Sequence, residues 1–284
     1  MAEMQNVQWF PGHMTKTRRQ IEKSLSICDA VAEIVDARIP LSSRNPDLKS
    51  IIAGKPLVVL LNKCDMADPR ITEQWLRYFK EIGAMALALD CRSGKGLNGF
   101  VPLLKTRLQD KLEQYKAKGM VGKPLRVMVV GIPNVGKSSF INRMAGGSRA
   151  KVEDRPGVTR GNQWFRIDKQ LEILDTPGVL WPKFDDQAVG ERLAFTGAVK
   201  DTVLDIETLG YRLTEYLLQN YAPLLCARYK IEELPQDPYE ALCAIGRKRG
   251  MVGRGGCVDT ERAAVMLLDE FRAGKIGKIT MERP

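Results

Sequence analysis

The chain has a single histidine, His13, in 284 residues, and its six cysteines (Cys28, Cys64, Cys91, Cys226, Cys243 and Cys257) include no Cys-x-x-Cys pair. That scatter argues against a zinc site and against a disulfide framework, and reduced thiols are the simpler reading. No apolar run approaches the roughly 20 residues of a membrane span. Met1 to Thr15 lacks the apolar core of a signal peptide. A cytoplasmic protein with no membrane association is therefore expected. Internal repeats and low-complexity tails are also missing. Acidic residues are in short supply: 34 Asp and Glu against 44 Lys and Arg leave a formal net charge of +10. An excess of that size favours polyanionic partners, meaning RNA, DNA or an acidic membrane face; the plain alternative is a basic surface that keeps the chain soluble.

What is present is an alternation of apolar runs and helical periodicity. Ala30 to Val35, Leu57 to Leu61, Ala84 to Leu89, Arg126 to Val130 and Gln170 to Leu174 read as buried strands. Thr72 to Ile82 and the basic stretch Lys105 to Lys123 read as helices between them. Strands alternating with helices predict an α/β, mostly parallel, doubly wound sheet. After about Pro182 only helical spacing remains, as in Leu209, Leu213, Leu217 and in Ala264, Leu267, Leu268, Phe271. A C-terminal all-helical domain is expected there.

Gly131-Ile132-Pro133-Asn134-Val135-Gly136-Lys137-Ser138 fits the phosphate-binding loop pattern GxxxxGK[ST] in full, after a strand and before a helix. Gly136 lets the backbone approach a phosphate, so that successive N–H groups and the helix N-terminus can hold its oxygens. Lys137 supplies a point charge between β- and γ-phosphates, and the Ser138 hydroxyl completes a Mg²⁺ shell. Asn134, Val135 and Ser139 complete the expected nucleotide-side set.

The base is chosen elsewhere. Asn62-Lys63-Cys64-Asp65 follows a strand and matches NKxD, whose carboxylate can accept two hydrogen bonds from guanine but not from adenine. Lys63 is expected over the base and against the phosphate loop. Asp90-Cys91, after the next strand, occupies the position of the second base-side loop but departs from its usual small-residue sequence. Asp175-Thr176-Pro177-Gly178 matches DxxG: Asp175 would hold Mg²⁺ through water, and the Gly178 N–H would sense the γ-phosphate. Thr159 is the best switch threonine, closing on Mg²⁺ and γ-phosphate. The order is base, base, phosphate loop, switch, switch. Ordinary small GTPases begin at the phosphate loop, so this chain reads as a circularly permuted P-loop GTPase binding GTP and GDP.

With Trp9-Phe10-Pro11-Gly12-His13-Met14 at the start, Asp36-Ala37-Arg38-Ile39-Pro40 after the first strand, and Phe271-Arg272-Ala273-Gly274-Lys275-Ile276-Gly277 near the end, the chain resembles the YlqF/RbgA family of ribosome biogenesis GTPases over nearly its full length. The resemblance implies a GTPase that binds late large-subunit precursors and contacts their rRNA, and a monomer is expected. It also implicates His13 in hydrolysis, because Val179 stands where many GTPases place a water-orienting glutamine. Local packing of His13, or contact with RNA phosphate, is the alternative. Many P-loop GTPases with an asparagine at the place of Asn134 bind K⁺ beside the phosphates, and the resemblance implies the same here; Asn134 is either a K⁺ ligand or a loop-stabilising side chain. Basic surfaces at Lys16 to Lys23, Lys105 to Lys123 and Arg247 to Arg254 are candidates for RNA, and a GTP-switched module for a protein partner is the competing function. The expected organisation is an arm over 1–15, a G domain over 16–182 and an RNA- or ribosome-binding helical domain over 183–284.

Overall fold

Branched apolar side chains are stiff and pack well on a pleated surface, and here they recur in the central strands. The computed structural model describes residues 22–52, 54–120, 122–146, 163–167, 169–176, 186–199 and 205–284. Its strands are β1 (Ala30–Asp36), β2 (Leu57–Asn62), β3 (Met85–Ala88), β4 (Leu125–Val130), β5 (Gln163–Arg166) and β6 (Leu171–Asp175). They make a 6-stranded sheet in the order β3-β2-β1-β4-β6-β5. All neighbours are parallel except β5, which runs antiparallel to β6. β1 is buried along its whole length, as a central strand covered on both faces should be. β5 carries no strand signal in the sequence because of its edge position. Only Phe165 is buried, while Gln163, Trp164 and Arg166 are exposed, so no apolar run marks it.

From β1 the chain steps outward to β2 and β3, then crosses to the other side of β1 to lay down β4. This reversal lies between β1 and β4, and open α/β sheets bind ligands beyond the carboxyl ends of strands at such a point. The helices of this part are α1 (Leu48–Ile51), α2 (Pro69–Glu81), α3 (Phe100–Arg107), α4 (Gln109–Ala117) and α5 (Lys137–Met144). The basic stretch expected as one helix is two, parted at Leu108, whose backbone leaves the helical region as its side chain is buried. Ile71, Trp75 and Phe79 of α2 cover Val35, Val59 and Leu61. Leu25, Cys28, Leu48 and Ile51 cluster with Val31, Met128, Val130 and Leu174. Each large side chain so buried contributes about 1.5–3 kcal/mol.

Beyond residue 186 the described residues form α6 (Gln187–Phe195), α7 (Ile206–Tyr229), α8 (Pro238–Lys248) and α9 (Thr260–Arg272), with one isolated bridge between Val252 and Val258. Leu209, Leu213, Leu217, Leu242, Ile245, Leu267, Leu268 and Phe271 are buried. Helix starts are set locally: Asp68, Asp186, Asp205, Asp237 and Asp259 each accept a hydrogen bond from a first-turn N–H of α2, α6, α7, α8 and α9. The chain divides into two compact units, a helical one within 184–279 and the sheet unit, to which Thr280–Pro284 belongs. The helical domain expected over 183–284 therefore stops short of that last segment, which sits with the sheet because its polar groups find partners there.

A candidate nucleotide site at the strand ends

The phosphate loop leads from β4 into α5. Gly136 is the N-cap of α5 at φ 99°, a left-handed conformation, and no side chain caps this helix. Its first-turn N–H groups lack the aspartate that seals α2 and α6 to α9, which suits them to an anion. A Cβ on Gly136 would lie 2.2 Å from Asn62 Nδ2, so glycine is required by space as well as by conformation. Asn134 also takes a positive φ, 61°. Lys137 is buried, and its ammonium donates to the loop's own carbonyls, Gly131 O at 3.0 Å and Ile132 O at 2.9 Å. Ser138 and Ser139 follow it, half-buried, in the first turn.

Asp175 ends β6 close enough to Lys137 for the two charges to couple. Burial pushes the Asp175 carboxyl up and the Lys137 ammonium down, each partly offset by the other. Asp175 Oδ1 is buried and has no hydrogen-bond partner. Thr176, the next residue, anchors this segment by donating from Oγ1 to Val129 O of β4 at 2.7 Å. An orphaned hard oxygen beside a hydroxyl-bearing phosphate loop is a donor set that fits Mg²⁺.

Asn62, at the end of β2, joins three loops. Its Nδ2 donates to Val135 O in the phosphate loop at 2.7 Å, and its Oδ1 accepts from Cys91 N at 3.0 Å. Two segments far apart in sequence are thereby stitched together. Lys63, at φ 61°, extends to Asp36 Oδ2 at 3.0 Å, at the end of β1. Cys64 N donates to Leu89 O at 3.2 Å. Asp65 Oδ2 pairs with Arg92 Nη2 at 3.1 Å, while Asp65 Oδ1 is buried with no partner. The Arg92 side chain is 71% exposed, so that pair is weak and readily exchanged. A carboxylate with one orphaned and one loosely held oxygen suits the two donors of a guanine edge.

Asp90 opens the next loop. Its carboxylate accepts from Arg92 N at 2.8 Å and Ser93 N at 3.2 Å, closing its own turn. Burial pushes its pKa up, but these hydrogen bonds outweigh it and hold the carboxyl below the usual range. Cys91 is buried, and burial pushes its thiol up to about 12, which favours the protonated form. Its backbone is the useful part. Cys91 O accepts from Arg143 Nε of α5 at 3.2 Å, and Arg92 O accepts from Arg143 Nη2.

Arg143 had no sequence signal, because nothing local marks a helix arginine as a strut between loops. Asp36 and Arg38 were visible as a motif without a role. Arg38 is 1% exposed; its N and Nε donate to Asp36 Oδ1 at 3.0 and 2.9 Å, and its Nη2 to Oδ2 at 2.7 Å. Burial opposes the charge on Asp36, yet Arg38 and Lys63 hold its carboxyl well below the usual range. His13, Thr159 and Gly178 lie outside the described residues.

A family model described as a 50S ribosome-binding GTPase matches residues 126–222. It begins at β4 and leaves the NKxD segment outside, as a permuted order requires. The ribosome biogenesis GTPase A of Priestia megaterium is 51% identical over 280 residues, covering 98% of this chain and 97% of that protein. This chain belongs to the ribosome biogenesis GTPase A family. Membership makes it a GTPase, with the mostly parallel sheet and helical part of that family. The Thermotoga maritima member is 32% identical over 277 residues, covering 97% and 94%. A solved structure described as GNP-bound YlqF from T. maritima is similar, with a TM-score of 0.65, 28% identity and coverage of 95% and 98%.

Proposed function

We propose that the chain binds GTP across the loops that Asn62 joins, hydrolyses it to GDP and phosphate, and acts in late maturation of the large ribosomal subunit. One observation carries the reading: two buried, unpartnered carboxylate oxygens, Asp65 Oδ1 and Asp175 Oδ1, flank a phosphate loop stitched to the base loop by Asn62. Asp65 reads guanine N1–H and the exocyclic amine; Asn62 fixes the loop that holds it. The amides of Asn134 to Ser139 cradle the phosphates, and Lys137 turns from its own carbonyls toward the β- and γ-oxygens. The Ser138 hydroxyl and, through water, Asp175 would hold Mg²⁺, which would neutralise phosphate charge, and Thr159 would close on it. Asn134 is assigned to K⁺.

In hydrolysis a water oxygen bonds to the γ-phosphorus as the bond to the β–γ bridging oxygen breaks, leaving GDP and phosphate. His13 is assigned to aiming that water, since Val179 cannot. Gly178 senses the γ-phosphate and releases with Thr159 after its loss. The particle bound is a large-subunit precursor, held partly through rRNA phosphates, in keeping with the +10 charge of the chain. The helical unit's cleft of about 740 Å³ offers Lys230, Arg247 and Lys248 but also Glu232 and Glu233, so it is not a purely cationic surface. No helix of the described residues is long and apolar enough to cross a membrane.

Co-sedimentation with large-subunit particles tests the function. Binding with a non-hydrolysable GTP analogue should exceed binding with GDP and should fall steeply with salt. Binding that follows the nucleotide but ignores salt would replace this reading with a nucleotide-switched module for a protein partner, and binding that ignores the nucleotide would overturn both.

A further inference from the structure

Thr280–Pro284 belongs to the sheet unit, and its hydrogen bonds fall on the segments that carry the base loop. Glu282 is buried, and its carboxylate accepts from the backbone N–H groups of Leu41 (2.6 Å) and Ser42 (3.0 and 3.1 Å) and from the Ser42 hydroxyl. The Glu282 carbonyl accepts from Trp75 Nε1 of α2 at 3.1 Å. Met281 N donates to Arg38 O at 2.7 Å, and Thr280 Oγ1 accepts from Asp68 N at 2.9 Å. Thr280, Met281 and Glu282 are all buried.

These partners converge on one segment. Arg38 grips Asp36, and Asp36 holds Lys63. Asp68 closes the stretch that begins at Asn62, and its side chain caps α2. The segment from 62 to 68 is thus held at its start by the phosphate loop and Cys91, through Asn62, and at its end by Thr280. Lys63 is held from the side through the Asp36–Arg38 pair, whose backbone Met281 secures.

We infer that the C-terminal segment Thr280–Glu282 is a clasp that positions the guanine-recognition loop, with Glu282 and Thr280 as positioning residues for Lys63 and Asp65. The carboxylate of Glu282 gathers two backbone amides and a hydroxyl, which fixes the turn after Arg38. A loop so fixed presents Asp65 ready for the base, and the ordering cost is met on folding rather than on binding. The inference rests on the reading of Asp65 as the base-selective residue.

Affinities of the full-length chain for GDP and for IDP, whose base lacks the exocyclic amine, test it. Glu282→Ala should weaken GDP by about tenfold and narrow the GDP-to-IDP ratio by a similar factor. A merely structural loss would lower the melting temperature and leave the ratio unmoved. Should Glu282→Ala fail to fold, Thr280→Val removes the hydroxyl that accepts from Asp68 N and should still narrow the ratio by about threefold. A folded variant with the ratio of the unmodified chain overturns the clasp. Asp65→Asn, measured alongside, should move the preference from GDP toward XDP. That exchange with an unmoved ratio at Glu282 sinks the clasp alone, whereas its absence sinks the base reading and the clasp with it.

Discussion

Asp36 and Arg38 make a buried ion pair, and removing one partner takes from the other its bidentate counter-charge in a buried setting. Arg38→Ala should cost about 3–5 kcal/mol of stability in urea unfolding, and Asp36→Asn a comparable amount. The pH dependence follows from the sign of the shift. The folded carboxyl of Asp36 lies below its ordinary value of 3.8, so its contribution is complete above that pH and drains away as pH falls below it. Acid unfolding of the unmodified chain should therefore be steeper below pH 3.8 than that of Asp36→Asn; parallel curves would refute the assignment. Gly136 is the second residue where one atom decides. With φ at 99° and Asn62 Nδ2 2.2 Å from where a Cβ would sit, Gly136→Ala must displace the side chain that joins the loops. Strain of about 1–3 kcal/mol is expected, with GTP affinity falling more than tenfold by calorimetry. Of these residues, Gly136 was readable from its motif. The Asp36–Lys63 contact was not, since its register depends on β1 and β2 lying side by side.

At the scale of elements, local chemistry and packing divide the work. The aspartates before α2, α6, α7, α8 and α9 are N-cap residues visible in any window of sequence, two of them followed by a proline at the first helical position. Where a strand or helix rests on long-range packing, sequence patterns mislead: β5 is an edge strand with one buried residue, and Leu108 breaks a basic helix because the core takes its side chain. Helix contacts in the helical unit follow the same logic. A Cβ on Gly210 of α7 would lie 2.3 Å from Ala264 Cβ and 2.8 Å from its Cα on α9. Gly210→Ala should overpack this crossing and destabilise by about 1–3 kcal/mol, despite the better helix propensity of alanine. A melting temperature equal to or above that of the unmodified chain would mean that the helices do not meet so closely.

For the whole molecule, permutation changes which segments are covalently adjacent without changing the sheet. The base loop precedes the phosphate loop by some 70 residues in the chain, yet Asn62 and Val135 are within 2.7 Å. The strand order places β1 between β2 and β4, so the Asp36 corner lies between base loop and phosphate loop. If particle binding depends on rRNA phosphates, a log–log plot of affinity against salt should be linear, with a slope near −0.7 to −0.9 per phosphate contacted. A flat plot would assign the interface to protein contacts instead.

From the sequence by itself came the sheet class, the phosphate loop, guanine selection and the permuted order, because each is written in short runs whose chemistry is local. Tertiary structure alone decided what holds those runs in register: Asn62 between three loops, Arg143 as a strut, and Glu282 reaching back to Leu41 and Ser42. The reason is physical. A glycine's conformation or a cap's hydrogen bond is settled within a few residues, whereas a buried polar atom finds its partner only after the chain has closed around it.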